Sequence, residues 1–506
     1  MSLAVVFSRV GMGIEAPLVT VEVHLSHGLP SLNIVGLPEA AVKESKDRVR
    51  SAIINSNFEF PARRITINLA PADLPKDGGR FDLPIALGIL AASEQIPAEQ
   101  LSKFEFIGEL ALTGELRPVK GALPVALACT EATRTLVVPK DNADEAGLVP
   151  SNRSQFAEHL LQVCHSLSYN QPLSDCHSNA SLNGHHFSVD MSDVIAQESA
   201  KRAMTIAASG KHHLMFIGPP GTGKSMLASR MPTILSSMSE TEAKESASIY
   251  SVSHLGFDAQ QFFTRKYRDP HHSCSAPALI GGGSHPKPGE VSLAHKGVLF
   301  LDELTEFSRQ VLDNLREPLE TGRVTISRAA HQAEYPADFL LLAATNPCPC
   351  GHFGNTKQHC RCTPDNIRRY LSKISGPLLD RIDMQVEVPL LSQDELLNGR
   401  KQTQRSSNDI RQEVKASQKY QLDRQGKLNG QLEASEVDEY CALGKGSKEL
   451  LTQALTRLNL SARSYHRILK VSRSIADLEQ SPLIEPKHIS ETLSYRKMER
   501  YLAQLP

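Results

Sequence analysis

The feature that most narrows the fold lies in the middle of the chain. His213-Leu214-Met215-Phe216-Ile217 is an apolar stretch of strand length. It leads directly into Gly218-Pro219-Pro220-Gly221-Thr222-Gly223-Lys224-Ser225, and then into the helix-forming Met226-Leu227-Ala228. A strand, a G-x-x-x-x-G-K-[ST] loop and a helix in that order make a P-loop, which is presented by an α/β sheet. The glycines let backbone N–H groups wrap phosphate oxygens without a Cβ in the way. Lys224 reaches the β and γ phosphates, Ser225 offers its hydroxyl to magnesium, and the helix start adds a favourable dipole. The residues Gly218 to Ser225 are therefore expected to hold ATP.

Two more apolar strands end in polar tips. Val298-Leu299-Phe300-Leu301 runs into Asp302 and Glu303. Asp302 is placed to hold Mg²⁺ through its water shell, and Glu303 to polarise the attacking water. Phe339-Leu340-Leu341-Leu342-Ala343-Ala344-Thr345 ends at Asn346, which can hydrogen-bond the γ-phosphate or that water. Further on, Leu378-Leu379-Asp380-Arg381-Ile382-Asp383 offers Arg381 as a finger for a neighbouring subunit's phosphoryl group.

At 506 residues the chain is too long for one core. Residues 1–165 alternate strand-like and helix-like segments; Val19 to Leu25 and Ile65 to Leu69 read as strands, and Glu39 to Asn55 as a helix. Residues 166–189 are rich in His, Ser, Asn and Gly and read as a linker. Residues 190–392 carry the ATP motifs, and 393–506 read as helical. The net charge of −1 excludes a polycation, so nucleic-acid contact needs a local basic surface. The N-terminus has no signal-peptide pattern and no stretch of about 18 apolar residues occurs, so the chain is expected to be cytoplasmic, with no membrane span.

Four of the nine cysteines crowd into one segment as C-x-C-x9-C-x-C: Cys348, Cys350, Cys360 and Cys362. Four thiolates at such spacing suit tetrahedral zinc, with His352 and His359 as substitute ligands; free buried thiols are the alternative.

The segments GPPGTGKS, VLFLDEL, AATNPCPCG and LLDRID resemble the AAA+ module of the magnesium-chelatase-like family, and more narrowly the bacterial YifB/ComM proteins. PGEVSLAHKGVLFLDEL, GRVTISRAAHQAEYPADF and LSARSYHRILKVSRSIADL extend the resemblance over nearly the whole chain. It implies an AAA+ P-loop α/β core with a C-terminal helical lid. It implies that Asn346 is sensor 1, Arg381 the arginine finger, and Arg463 sensor 2, with Arg467 as the fallback. It further implies a homo-hexameric, ATP-dependent DNA translocase or helicase that promotes branch migration in homologous recombination during natural transformation, acting on single-stranded and branched DNA. The rival readings are a magnesium-chelatase-type motor subunit and an ATP-driven protein remodeller or protease.

The N-terminal region resembles Lon-type proteases (a ribosomal S5 domain 2-like α/β fold) through Pro71 to Pro84 and Leu112 to Gly121. Arg80 stands where Lon has its nucleophilic Ser, and Leu123 where it has its Lys, with Lys120 a weak alternative base. A Ser–Lys dyad needs both members, so proteolysis is expected to be absent. In a ring motor, loops beside the ATP strands reach the strand being moved. By position these are 281–296, with Lys287 and Lys296, and a hairpin over 323–334, with Arg323, Arg328 and His331. Such groups contact phosphates and read no sequence.

Overall fold

The structure is a computed structural model that describes residues 3–149, 153–180, 187–283, 286–327, 332–354, 358–398, 404–458 and 461–498. The chain divides into two compact units. The first holds Met1–Asn183 with Glu240–Phe263 and His331–Tyr335; the second holds Gly184–Ser239, Thr264–Ala330 and Pro336–Pro506.

The first unit is built on an eight-stranded mixed sheet. Its order is Ser174–Asp175, Gln155–Ala157, Thr135–Pro139, Phe104–Phe106, Leu3–Arg9, Leu18–Ser26, Arg64–Ala70 and Ser31–Val35. Leu3–Arg9, Leu18–Ser26 and Arg64–Ala70 form an antiparallel centre. Along Leu18–Ser26 the period of two sends Val19, Val21, Val23 and Leu25 inward. The helix Asp82–Ala92 is buried along its whole length and covers the two central strands. Full burial of each Leu or Ile there contributes about 1.5–3 kcal/mol.

A segment from the middle of the chain completes this unit. The helix Glu240–Val252 packs on the helix Ala122–Glu131. The Gly121 N–H donates to the Ser251 carbonyl at 3.0 Å. Glu145 accepts from the Leu123 N–H at 3.1 Å, and burial raises its carboxyl above the usual range. The bonds from Leu123 and from the Asn142 amide oppose that rise.

The second unit holds a parallel sheet ordered Tyr267–Arg268, Val298–Leu301, Leu340–Thr345, Leu214–Ile217 and Met384–Glu387. Its central strands are wholly buried, as their continuous apolar runs require of a sheet covered on both faces. The C-terminal part is helical, with Ser407–Gln425, Ala434–Tyr440, Ser447–Leu458, Ala462–Leu478 and Pro486–Ser494. Ser407–Gln425 and Ala462–Leu478 pack on the helix Glu198–Gly210 beside the sheet. Leu432, Val437, Leu451, Ile468, Ile484 and Ile489 form a separate small core. Among the described residues no helix is long and apolar enough to cross a membrane.

Candidate active site

Parallel register brings three loops to one edge of the sheet. Ile217 pairs with Thr345 and Leu301 with Ala343, so Gly218, Asp302 and Asn346 all follow strands that end side by side. The Asn346 strand lies between the other two. Ligands of open α/β sheets bind at such carboxyl ends.

The groups expected to act together do meet there. Gly221 and Gly223 take positive φ values of 76° and 89°, which any residue with a Cβ adopts at a cost. Lys224 Nζ donates to the carbonyls of Gly218 and Pro219, each at 2.8 Å, and to Asn346 Oδ1 at 3.1 Å. Burial lowers the Lys224 ammonium from its ordinary value, against the pull of Asp302 and Glu303. Ser225 Oγ donates to Asp302 Oδ2 at 2.5 Å. Two hard oxygen donors so close, beside a phosphate-binding loop, fit magnesium. The Thr222 hydroxyl donates to the Pro219 carbonyl at 3.0 Å and braces the loop from within.

Glu303 stands apart from this network. Its backbone is left-handed at φ 50°, and its N–H donates to Asp302 Oδ1 at 2.9 Å. Its carboxylate is turned instead to His272, whose Nδ1 lies 3.4 Å from Oε2. Both side chains open on a cavity of about 760 Å³ that Asn346, Arg369, Tyr370 and Lys373 also line. Sequence reading missed His272. It follows the edge strand Tyr267–Arg268, which pairs with the Asp302 strand, and no spacing rule marks it. Gln197 was missed as well. It is buried, and its amide donates to the Pro389 carbonyl at 2.8 Å, tying the segment before the first helix of this unit to the end of the last strand.

Arg381 Nη2 binds Glu320 Oε2 at 2.5 Å, and its Nη1 donates to the Pro377 carbonyl at 2.7 Å. Arg381, with Arg463 adding its field, holds the Glu320 carboxyl below the usual range. Arg463 is exposed in the first turn of Ala462–Leu478. Arg467, one turn on, lies 3.6 Å from Asp383; burial lowers its guanidinium while Asp383 opposes.

The four cysteines converge. Cys348 Sγ is 3.4 Å from Cys350 Sγ and 3.7 Å from Cys360 Sγ, and the latter two are 3.6 Å apart. All four sulfurs lie within 4.8 Å of one another. A tetrahedron of sulfurs about 2.3 Å from a zinc ion has edges of about 3.8 Å, so the donor set fits that ion. The His352 ring Nδ1 is buried without a partner, and neither His352 nor His359 belongs to the cluster.

The candidate DNA residues fall in different settings. Lys287 is exposed on a two-strand turn in which Gly282 faces Lys287. A Cβ on Gly281 would lie 2.5 Å from Ile326 Cδ1, so this turn rests against the strand Arg323–Ser327 and brings the two candidate segments together. Arg323 is exposed at the start of that strand. Lys296 is bound to Asp338 at 3.0 Å, beside Lys211. Arg328 and His331 lie outside the described residues. In the first unit, Arg80 Nη2 donates to the Lys120 carbonyl at 2.8 Å. Leu123 is buried in the helix that follows.

Comparison with known proteins bears on the whole of this arrangement. The family described as "Magnesium chelatase, subunit ChlI" matches residues 190–396; "Subunit ChlI of Mg-chelatase" matches 21–142, and "Magnesium chelatase, subunit ChlI C-terminal" matches 404–496. Competence protein ComM of Haemophilus influenzae is 51% identical, over 100% of this chain and 99% of that protein. The chain belongs to the ComM/YifB family of magnesium-chelatase-like AAA+ proteins. YifB of Escherichia coli, itself uncharacterized, is 49% identical over 100% of this chain and 99% of that protein. A more distant likeness joins the family to Lon protease 2 of Bacillus subtilis, at 27% identity over 37% of each chain. In this ComM-like chain the P-loop, the Asp302–Glu303 tip, Asn346 and the cysteine cluster all lie in the segment matched as magnesium chelatase subunit ChlI.

Proposed function

We propose that this ComM/YifB protein is an ATP hydrolase that works as a homo-hexameric DNA translocase in the cytoplasm, promoting branch migration on single-stranded and branched DNA during natural transformation. The observation that carries the hydrolase reading is the meeting of Lys224, Ser225, Asp302 and Asn346 at one sheet edge, with Glu303 beside them. In this reading the P-loop amides and Lys224 hold the phosphates, Ser225 and Asp302 hold magnesium, and Asn346 orients the γ-phosphate. Glu303 takes the proton of the attacking water. Arg381 serves a neighbour's site and Arg463 the subunit's own. Zinc is the structural metal of the cysteine cluster.

The DNA reading rests on the likeness to a protein named for competence and on the juxtaposition of the turn at Lys287 with the strand that starts at Arg323. A strand-displacement and branch-migration assay with the purified protein tests it, with ATP turnover followed in parallel. Unwinding that needs ATP, and turnover that rises with DNA, is the expected result; turnover indifferent to DNA overturns it. The family descriptions favour a second reading, a motor for metal insertion into a porphyrin. Turnover that depends on porphyrin and partner subunits, with no response to DNA, would select that one.

A further inference from the structure

The cysteine cluster sits where it can act on the nucleotide site from two sides. Cys348 is two residues beyond Asn346, whose side chain accepts from Lys224. On the other side, Gly351 adopts a positive φ of 79°, and a Cβ there would lie 2.6 Å from Pro220 Cδ. Only a residue without a side chain lets the metal-binding turn close against the P-loop this tightly. Pro349, between the first two cysteines, lines the cavity into which Glu303 and Asn346 open. The cluster therefore shares backbone with the sensor and a packed surface with the loop that holds the phosphates.

We propose that the zinc site of Cys348, Cys350, Cys360 and Cys362 is a brace for the P-loop, so that the affinity for ATP depends on metal occupancy. Four protein thiolates leave no open coordination position, which makes the ion structural and keeps it out of the chemistry. Sulfurs this close converge on one ion rather than spreading over the several irons of a cluster. Metal binding by such a turn is folding free energy, since the ligands are drawn together only when it is filled. Without the ion the sulfurs take up protons and lose the partner that held them together, the turn through Gly351 opens, and Pro220 loses the surface it rests on. Pro220 and Asn346 would then shift together. This proposal rests on the reading of the second unit as an ATPase.

The test uses the full-length protein, with metal content read by elemental analysis and nucleotide affinity by titration with a fluorescent ATP analogue. The expected content is about one zinc per chain, the complement of one closed four-thiolate site. Cys350→Ser loses the metal and binds the analogue about tenfold more weakly, the equivalent of one lost favourable contact. Gly351→Ala separates the brace from the ligands: all four thiolates remain to keep the zinc, and affinity is still lost, because the added Cβ meets Pro220 and strains the left-handed turn. If Cys350→Ser does not fold, removal and return of zinc on the wild-type protein supplies the same comparison. Iron in place of zinc, a metal-free wild type, or metal-free protein that binds the analogue like wild type overturns the brace. A wild type that binds no nucleotide at all, like a Lys224→Ala control, would instead overturn the ATPase reading beneath it.

Discussion

His272 holds its Nδ1 3.4 Å from Glu303 Oε2, across the gap between two neighbouring strand ends. The carboxylate proposed to polarise the attacking water thus has a neighbour that can set its direction. Glu303 is exposed and its backbone is left-handed, so little else around it fixes the side chain. His272→Ala is expected to slow turnover by about tenfold to a hundredfold, the usual cost of a misplaced reacting group, while leaving ATP affinity in place. Adding it to Glu303→Gln should cost little more, because the partner it orients is already gone. Full additivity in that double variant would show that His272 acts elsewhere.

Lys224→Ala and Glu303→Gln should fail in different ways. The first removes the cation proposed to hold the β and γ phosphates and should lose nucleotide binding. The second keeps Ser225 and Asp302 for magnesium and should bind ATP yet turn it over slowly. Equilibrium binding and single-turnover hydrolysis distinguish the two. Wild-type hydrolysis by Glu303→Gln would take the role of base away from that residue.

Arg381 pairs with Glu320 within its own chain. As a finger it must leave that carboxylate for a neighbour's phosphoryl group. Arg381→Ala should lower turnover by about 10³-fold or more. Mixed with Glu303→Gln subunits it should regain part of the activity, since one interface then has both an intact base and an intact finger. Mixtures that stay inactive, while mixtures of either variant with wild type work, would place the function of Arg381 inside its own subunit.

The helical part of the second unit rests on one buried acid. Asp477 accepts from Arg473 at 2.9 Å, from Arg424 at 2.6 Å and from Asn429 at 2.8 Å, and neither Asp477 nor Arg473 reaches solvent. Asp477→Ala would leave two guanidinium groups without their shared partner, and is expected to cost about 3–5 kcal/mol. Urea unfolding followed by circular dichroism measures it. A loss below 1 kcal/mol would mean that water replaces the carboxylate.

For DNA, replacing Lys287 and Arg328 together by Ala should weaken binding by a similar factor on unrelated sequences and leave basal ATP turnover unchanged. The salt dependence of binding should flatten by roughly one unit for each lost phosphate contact. Wild-type affinity and stimulation in the double variant would move the DNA path away from the segments around Gly281 and Arg323.

The strands that carry the ATP motifs were legible because buried parallel strands write themselves as unbroken apolar runs: Leu214–Ile217, Val298–Leu301 and Leu340–Thr345 fall inside the runs read from sequence. The alternation of Val19, Val21 and Val23 likewise marked a half-covered strand. What stayed hidden depends on long-range neighbours. No local pattern marks His272, because its partner is supplied by another strand. Lys296 read as a candidate phosphate contact, yet Asp338, distant in sequence, holds it. Gly351 carries no mark in its own sequence, and its need for a missing Cβ comes from Pro220. The helix Glu240–Val252 carries no sign in its own residues that it belongs with the first unit rather than with the P-loop that precedes it.

That last attachment bears on how the chain is made. The first unit is closed by the helix Glu240–Val252, in which the Ser251 carbonyl takes the Gly121 N–H. On the ribosome, residues up to Asn183 emerge well before Phe263. At about 5–20 residues per second the nascent first unit waits several seconds with the Gly121 N–H and the outer face of the helix Ala122–Glu131 unanswered. During that wait the P-loop is synthesised, so the two units cannot mature in strict succession. A fragment ending at Asn183 should for the same reason be a poor surrogate for the natural domain, and an internal deletion of Glu240–Phe263 should harm a region whose own sequence it leaves untouched.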